Sequence, residues 1–197
     1  MLSVVIPTYN DAKNIALAIA SANQIKYVNE IIIVDDCSTD NTELIIKDIR
    51  DNCRKIKYYR NSVNQGSGLT FLNGLEKVKN SYVIMLNSDD FFIPKAIEKL
   101  FEYTIKNDLD LGYGKMSIKK NSGIHKYVHP GYKNKSYVDN RNELQDLLIF
   151  DMYIPSFGAI INYDKIKKFY NKKYYESLNY NFGKSFKAHD YDLFLNL

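Results

Sequence analysis

No stretch of this 197-residue chain approaches the ~20 consecutive apolar residues that cross a bilayer, and its opening MLSVVIPTYN has neither a basic leader region nor a small-residue cleavage site. The expectation is a cytoplasmic protein. Cysteine is scarce: Cys37 and Cys53 are the only two. Without an export signal they read as free thiols rather than as a disulfide framework. Tryptophan is absent while tyrosine numbers 17. With so much Lys, Asn and Ile, this bias fits the drift of an AT-rich genome as well as selection, so it excludes nothing.

Concentrated charge is missing too. The formal net charge is only +4, and the lysines are scattered except in KIKKFYNKK, Lys165 to Lys173. Nucleic acid is not an expected partner, because it calls for a denser basic face. The simpler reading of the run is a solvated surface. The alternative is peripheral attachment to anionic lipid at the inner face of the membrane, worth about 1 kcal/mol per lysine. After the first apolar run, the turn PTYN contains no glycine. That removes the Gly-x-Gly-x-x-Gly loop of a Rossmann dehydrogenase, and equally the glycine-rich, arginine-bearing loop of a sugar-phosphate nucleotidylyltransferase.

What is present is an alternation. LSVVIPT (Leu2 to Thr8) and EIIIVDD (Glu30 to Asp36) are short Val/Ile-rich runs ending in polar residues, the pattern of strands buried on both faces of a parallel sheet. Between them Ile15, Ala18, Ile19 and Ala22 recur at helical spacing over Ala12 to Gln24, with Asn10 or Asp11 placed to cap the start. Asp40 and Glu43 suggest a capping box before TELIIKDIRD. Ile56 to Arg60 predicts a third strand, NQGSGL opens a helix to about Val78, and YVIML (Tyr82 to Leu86) predicts a fourth strand. Pro94 starts a helix whose Ile97, Leu100, Phe101, Thr104 and Ile105 form one stripe. Further on, the pattern predicts a strand near Leu111 to Ile118, a loop to about Asn140, a helix from Arg141 to Phe150, a strand at SFGAII and a helix from about Ala188. The length suits one domain, an α/β layered domain with a mostly parallel central sheet flanked by helices. In such sheets ligands sit beyond the carboxyl ends of the strands.

Two of those ends carry paired carboxylates. Asp89 and Asp90 close NSDD, where they suit a hard divalent cation bound together with phosphate oxygens, or else a cap on the helix at Pro94. Asp35 and Asp36 end another strand of the same sheet. One of them could accept a hydrogen bond from a base imide or a ribose hydroxyl, or the pair could simply build a turn.

Taken together, VVIPTYN, IIIVDDCSTDNT, MLNSDD and HDYDLFL are similar to glycosyltransferase family 2, with its GT-A fold. The resemblance covers essentially the whole chain and is most specific over the first hundred residues. It implies a nucleotide-sugar-binding half over residues 1–110 and an acceptor-side half over 111–197. It also implies an inverting transfer from a nucleotide-diphosphate sugar, a UDP-sugar above all, to a hydroxyl of a glycan or lipid-linked acceptor, in bacterial cell-surface polysaccharide synthesis. Pro7, Thr8 and Tyr9 would line the nucleoside pocket, Asp36 would contact the base, and Asp35 would lie beside it. The family's Asp-x-Asp motif falls on Asn87, Ser88 and Asp89. Asp89 then becomes the ligand of Mg2+ or Mn2+, with Asp90 adjacent. Asp190 matches the family's general base, and a helix N-terminal acid is the alternative reading of it. Gly66 would bring backbone close to the donor, or merely open a helix.

The sequence departs from that family in four places. Asn87 replaces an Asp. Phe71 and Leu72 stand where the family has an Arg-Asn pair. His189 replaces the Glu before Asp190, placing a group with an ordinary pKa of about 6.5 beside the base. The chain also stops seven residues after Asp190, where family members continue with acceptor-binding helices, so a C-terminal truncation is left open. These departures keep alive a second reading, a catalytically inactive nucleotide-binding module.

Overall fold

In a computed structural model, the structure describes residues 1–112, 114, 117–120, 123–126 and 158–167. The first hundred residues wind as their apolar periodicities require. The elements are β1 (Leu2–Thr8), α1 (Ile15–Asn23), β2 (Val28–Asp35), α2 (Thr42–Asp51), β3 (Ile56–Arg60), α3 (Ser67–Leu75), β4 (Tyr82–Met85) and α4 (Pro94–Lys106). β5 (Leu111–Gly112), β6 (Ser117–Lys120), β7 (Gly123–Lys126), β8 (Ile160–Asn162) and a short α5 (Tyr163–Ile166) follow.

Six strands form one sheet in the order β3-β2-β1-β4-β8-β5. β1 lies centrally, parallel to β2 and β4, with Val5 beside both Ile32 and Met85. β3 adds in parallel to β2, and β8 runs antiparallel to β4 and to β5. The expected α/β layering with a mostly parallel sheet is therefore what the chain adopts. The strand order reverses direction at β1, so β1 and its neighbours share a crevice at their carboxyl ends.

Every residue of β1 is buried, because helices cover both faces. Val4, Ile6, Ile31, Ile33 and Ile84 pack with Ile15, Ile19, Ile46 and Phe101 on one side. Val5, Ile32, Val34, Val83 and Met85 pack with Phe71, Leu72 and Leu75 of α3 on the other. Each such aliphatic side chain contributes about 1.5–3 kcal/mol on burial, which fixes the register that aims the strand ends. α3 approaches β1 and β2 closely at Gly74: a Cβ there would overlap Val5 Cγ1 and lie 3.3 Å from Val34 Cγ2.

Several local expectations change. α1 starts at Ile15 rather than Ala12, since residues before it are drawn into loop contacts: the Asp11 N–H donates to Thr42 Oγ1 (2.8 Å) and the Ala12 N–H to Asp40 Oδ2 (3.1 Å). Neither Asn10 nor Asp11 caps it; the N-cap is Asn14, whose side chain makes no cap bond and donates instead to Asp11 Oδ1 (2.7 Å). The capping box at α2 does not form, because Asp40 accepts from its neighbour Thr42 N (3.0 Å) and Glu43 turns to Lys47 and Arg60. α3 ends at Leu75, three residues early. Ile105 of the predicted α4 stripe is exposed, and Glu98 is buried instead, accepting from the Lys26 N–H at 2.9 Å. The single strand expected near Leu111 to Ile118 is divided between β5 and a separate β6–β7 hairpin.

Candidate active site

The carboxyl ends of β1, β2 and β4, with the turn entering α3, enclose a cavity of about 720 Å3. Pro7, Thr8, Tyr9, Asp36, Gly66, Ser88 and Asp89 all line it. Residues more than 80 positions apart in sequence meet here because the parallel register brings β1, β2 and β4 side by side.

Asp36 and Asp35, adjacent in sequence, have opposite fates. The Asp36 N–H donates to Thr8 O (2.8 Å), locking the β2 end to the β1 end. Its buried carboxylate lines the cavity while accepting from Asn61 Nδ2 and Gln65 N (both 2.8 Å) and from Gly66 N (2.7 Å). Three donors on about four lone-pair sites hold the group rigidly and leave acceptor capacity for a ligand. Gly66 adopts φ 83°, a conformation that favours glycine; its N–H thereby reaches Asp36, and it opens α3 as well as lining the cavity. Asp35 does not line the cavity. It is completely buried and accepts from Ser38 N, Tyr58 OH and Arg60 Nη1, each at 2.8 Å. Its place is beneath the site, not in it. Burial, and then the Asp35 carboxylate it donates to, push the Tyr58 hydroxyl far above its ordinary pKa, so it stays a donor.

Asp89 and Asp90 separate similarly. Asp89 lines the cavity and Asp90 does not. Neither caps α4, whose N-cap is Ile93 with Pro94 following and no side-chain cap bond; the capping alternative is therefore removed. Solvent reaches Asp90, yet partial desolvation, with the charge of Asp89 next in importance, lifts its carboxyl above the usual range, against a weak Asn87 hydrogen bond of 3.4 Å. A carboxylate whose ionised form is disfavoured by desolvation and by a neighbouring acid suits a hard cation. Among the described residues the cavity lining includes Asp11, Asp36 and Asp89 but no Lys, Arg or His. These oxygen donors would suit a hard divalent cation such as Mg2+ or Mn2+. Among the described residues no cluster of three or more acidic, His or Cys side chains encloses a metal by itself.

Two lining atoms are left unsatisfied. Thr8 Oγ1 and Asp11 Oδ2 are buried without a hydrogen-bond partner among the described residues, a state costing about 1–3 kcal/mol per group. Asp11, Asn14 and Thr70 also belong to the lining, beyond the residues that the motifs mark. Asp11 carried a signal, as a polar residue directly after PTYN. Thr70 carried none, since only docking of α3 decides which of its faces meets the cavity. Phe71 and Leu72 are buried in the core under the sheet, so the positions of the family's Arg-Asn pair are apolar packing here. Asp190 and His189 lie outside the described residues.

A mostly parallel sheet flanked by helices, with a polar, acid-bearing crevice at the ends of its central strands, has the GT-A-type architecture. Residues 3–176 match the family described as Glycosyl transferase family 2, and the chain belongs to that family. It is 31% identical over 173 residues to the poly(ribitol-phosphate) beta-N-acetylglucosaminyltransferase TarP of Staphylococcus aureus, covering 84% of this chain and 51% of TarP. To the UDP-Glc:alpha-D-GlcNAc-diphosphoundecaprenol beta-1,3-glucosyltransferase WfgD of Escherichia coli it is 29% identical, covering 66% of this chain and 51% of WfgD. Among solved structures it resembles S. aureus TarS 1–349 in complex with UDP-GlcNAc, with a TM-score of 0.52 and 26% identity over 56% of this chain and 32% of that one. The chain thus spans about half the length of TarP and WfgD.

Proposed function

We propose that this protein is an inverting glycosyltransferase that moves a sugar from a UDP-sugar to a hydroxyl of a glycan or lipid-linked acceptor in cell-surface polysaccharide synthesis. The observation that carries the reading is the single cavity onto which Thr8, Tyr9, Asp36, Ser88 and Asp89 converge. A half-exposed Tyr9 ring offers a stacking face for a base, and Asp36 is a rigid acceptor for its imide N–H. The cited relatives carry names with UDP-Glc or a lipid diphosphate acceptor in one case and a ribitol-phosphate polymer in another, which supports this class of donor and acceptor.

Asp89, with Asp90 beside it, would hold Mg2+ or Mn2+. When bound, that ion stabilises the charge developing on the departing nucleoside diphosphate. The protein's own residues do the rest. The Pro7–Tyr9 segment and Asp36 orient the nucleoside, and Asp190 takes the proton from the acceptor hydroxyl as that oxygen attacks the anomeric carbon. One direct displacement inverts the centre.

Calorimetry with UDP and Mn2+, and a transfer assay with an acceptor panel, test the proposal together. Asp89→Ala should lose metal-dependent UDP binding with the fold intact, and Asp190→Ala should keep UDP binding but lose transfer. Unchanged affinity and metal dependence in Asp89→Ala removes the metal assignment. UDP binding without turnover across the panel favours the inactive-module reading, which Asn87 and the buried Phe71 motivate.

A further inference from the structure

The Arg60 guanidinium, at the end of β3 and outside the cavity lining, joins three contacts that converge beneath the site. Nη1 donates to the buried Asp35 Oδ2 (2.8 Å) and lies 3.1 Å from Glu43, and Nη2 donates to the Ser38 carbonyl (2.7 Å). Asp35 itself accepts from Ser38 N (2.8 Å), so Arg60 and Asp35 grip both the amide and the carbonyl of Ser38. Ser38 then reaches the opposite loop: its Oγ accepts from the Asn10 N–H (2.9 Å), and Asn10 Oδ1 accepts from the Thr39 N–H (2.7 Å). Two residues in these facing loops hold left-handed backbones, Cys37 at φ 66° and Asn10 at φ 50°. An L-residue keeps such a conformation only where its surroundings over-determine it. Cys37 directly follows Asp36, and Asn10 directly follows Tyr9.

We infer that Arg60 is a positioning residue for nucleotide recognition: through Asp35 and Ser38 it holds Cys37 and Asn10 in their left-handed turns, and so sets Asp36 and Tyr9 at the cavity wall. This rests on the nucleotide reading of that cavity. The planar fork matters, since one guanidinium reaches a carboxylate and a carbonyl at once, which a lysine ammonium does not reproduce. Because Arg60 acts on the loops carrying Tyr9 and Asp36, its loss should weaken uridine and UDP by the same factor. An arginine touching phosphate would weaken UDP alone.

The test uses the full chain with Arg60→Met, Arg60→Lys and Glu43→Gln, measured by calorimetry with uridine and with UDP plus Mn2+, well below each variant's thermal midpoint. Arg60→Met should bind both ligands about tenfold or more weakly, equivalent to one decade in Kd. Arg60→Lys should recover only part of this, and Glu43→Gln, which removes an Arg60 ion pair but no loop contact, should stay within about twofold of wild type. Alkylation of Cys37, read against Cys53, should accelerate in Arg60→Met. Equal binding by Arg60→Met and wild type overturns the clamp, as does loss of UDP but not uridine, or an equal loss in Glu43→Gln. If wild type binds neither ligand, the nucleotide reading fails, and an unchanged Cys37 rate would then overturn the clamp separately.

Discussion

Neighbouring carboxylates divide the labour at this site. Asp35 is the last residue of β2 and Asp36 directly follows it; one enters a buried network and the other faces the cavity. Asp35→Asn would weaken the Arg60 pair and turn one acceptor into a donor facing the Tyr58 hydroxyl or the Ser38 amide. With Asp35 fully buried and Arg60 partly exposed, the expected loss is about 3 kcal/mol, read as a lowered denaturant midpoint at constant slope. A stability within 0.5 kcal/mol of wild type, the range of ordinary surface changes, would show that the network is dispensable. That EIIIVDD is a buried strand ending in two carboxylates is readable in the sequence. What such a run does not reveal is that Arg60, its register partner on β3, and Tyr58, two positions earlier, both donate to Asp35 and claim it. The resemblance implies a ligand role for Asp35, whereas its three donors make it a support.

At the scale of elements, the fit of α3 against the sheet decides which of its faces meets the cavity. Gly74 permits that approach, and Gly74→Ala should cost about 1–3 kcal/mol through overpacking against Val5 and Val34, visible as a drop in thermal midpoint. An unchanged midpoint would mean that α3 moves away freely. Because Thr70 lies one turn before Gly74 on α3, nucleotide affinity should fall with stability in this variant. At the opposite end of the strands, buried Glu30 joins β2, β1, β3 and the turn before β4 by accepting from Ser3 Oγ (2.6 Å) and Lys79 N (3.0 Å) and pairing with Lys57. Burial raises its pKa, but the hydrogen bonds of Lys57, Ser3 and Lys79 outweigh it and hold the carboxyl below the ordinary range.

That depressed carboxyl has a consequence for the whole molecule. A folded pKa below the unfolded one contributes stability that is fully present above the unfolded value, near 4.3, and is lost as pH falls through the folded one. Acid unfolding should therefore steepen below about pH 4.3. Glu30→Gln should flatten that limb while costing about 1–3 kcal/mol at neutral pH. Equilibrium unfolding of both proteins between pH 3 and 7 measures this, and parallel curves would dismiss Glu30 as the group responsible. The two ends of the sheet thus carry different burdens. Glu30 ties the amino ends of the strands together, while the carboxyl ends keep unsatisfied atoms, Thr8 Oγ1 and Asp11 Oδ2, at the cavity.

The sequence by itself determined the strands and helices of the first hundred residues and the family, because buried parallel strands must be continuous apolar runs and crossover helices must show a 3.6-residue period. It also marked PTYN, Asp36 and Asp89, since polar residues at the ends of such strands have few places to go except a crevice. Only the tertiary structure decided that Asp35 lies beneath the site, that Asp90 stands beside rather than in the cavity, that Phe71 and Leu72 belong to the core, and that Asn10 links loops instead of capping a helix. Each of those outcomes depends on which groups arrive from other elements: Arg60 and Tyr58 from β3, Val5 and Val34 from the sheet, Thr39 from the facing loop. Periodicity encodes the burial of a face, and it does not encode the partner across it.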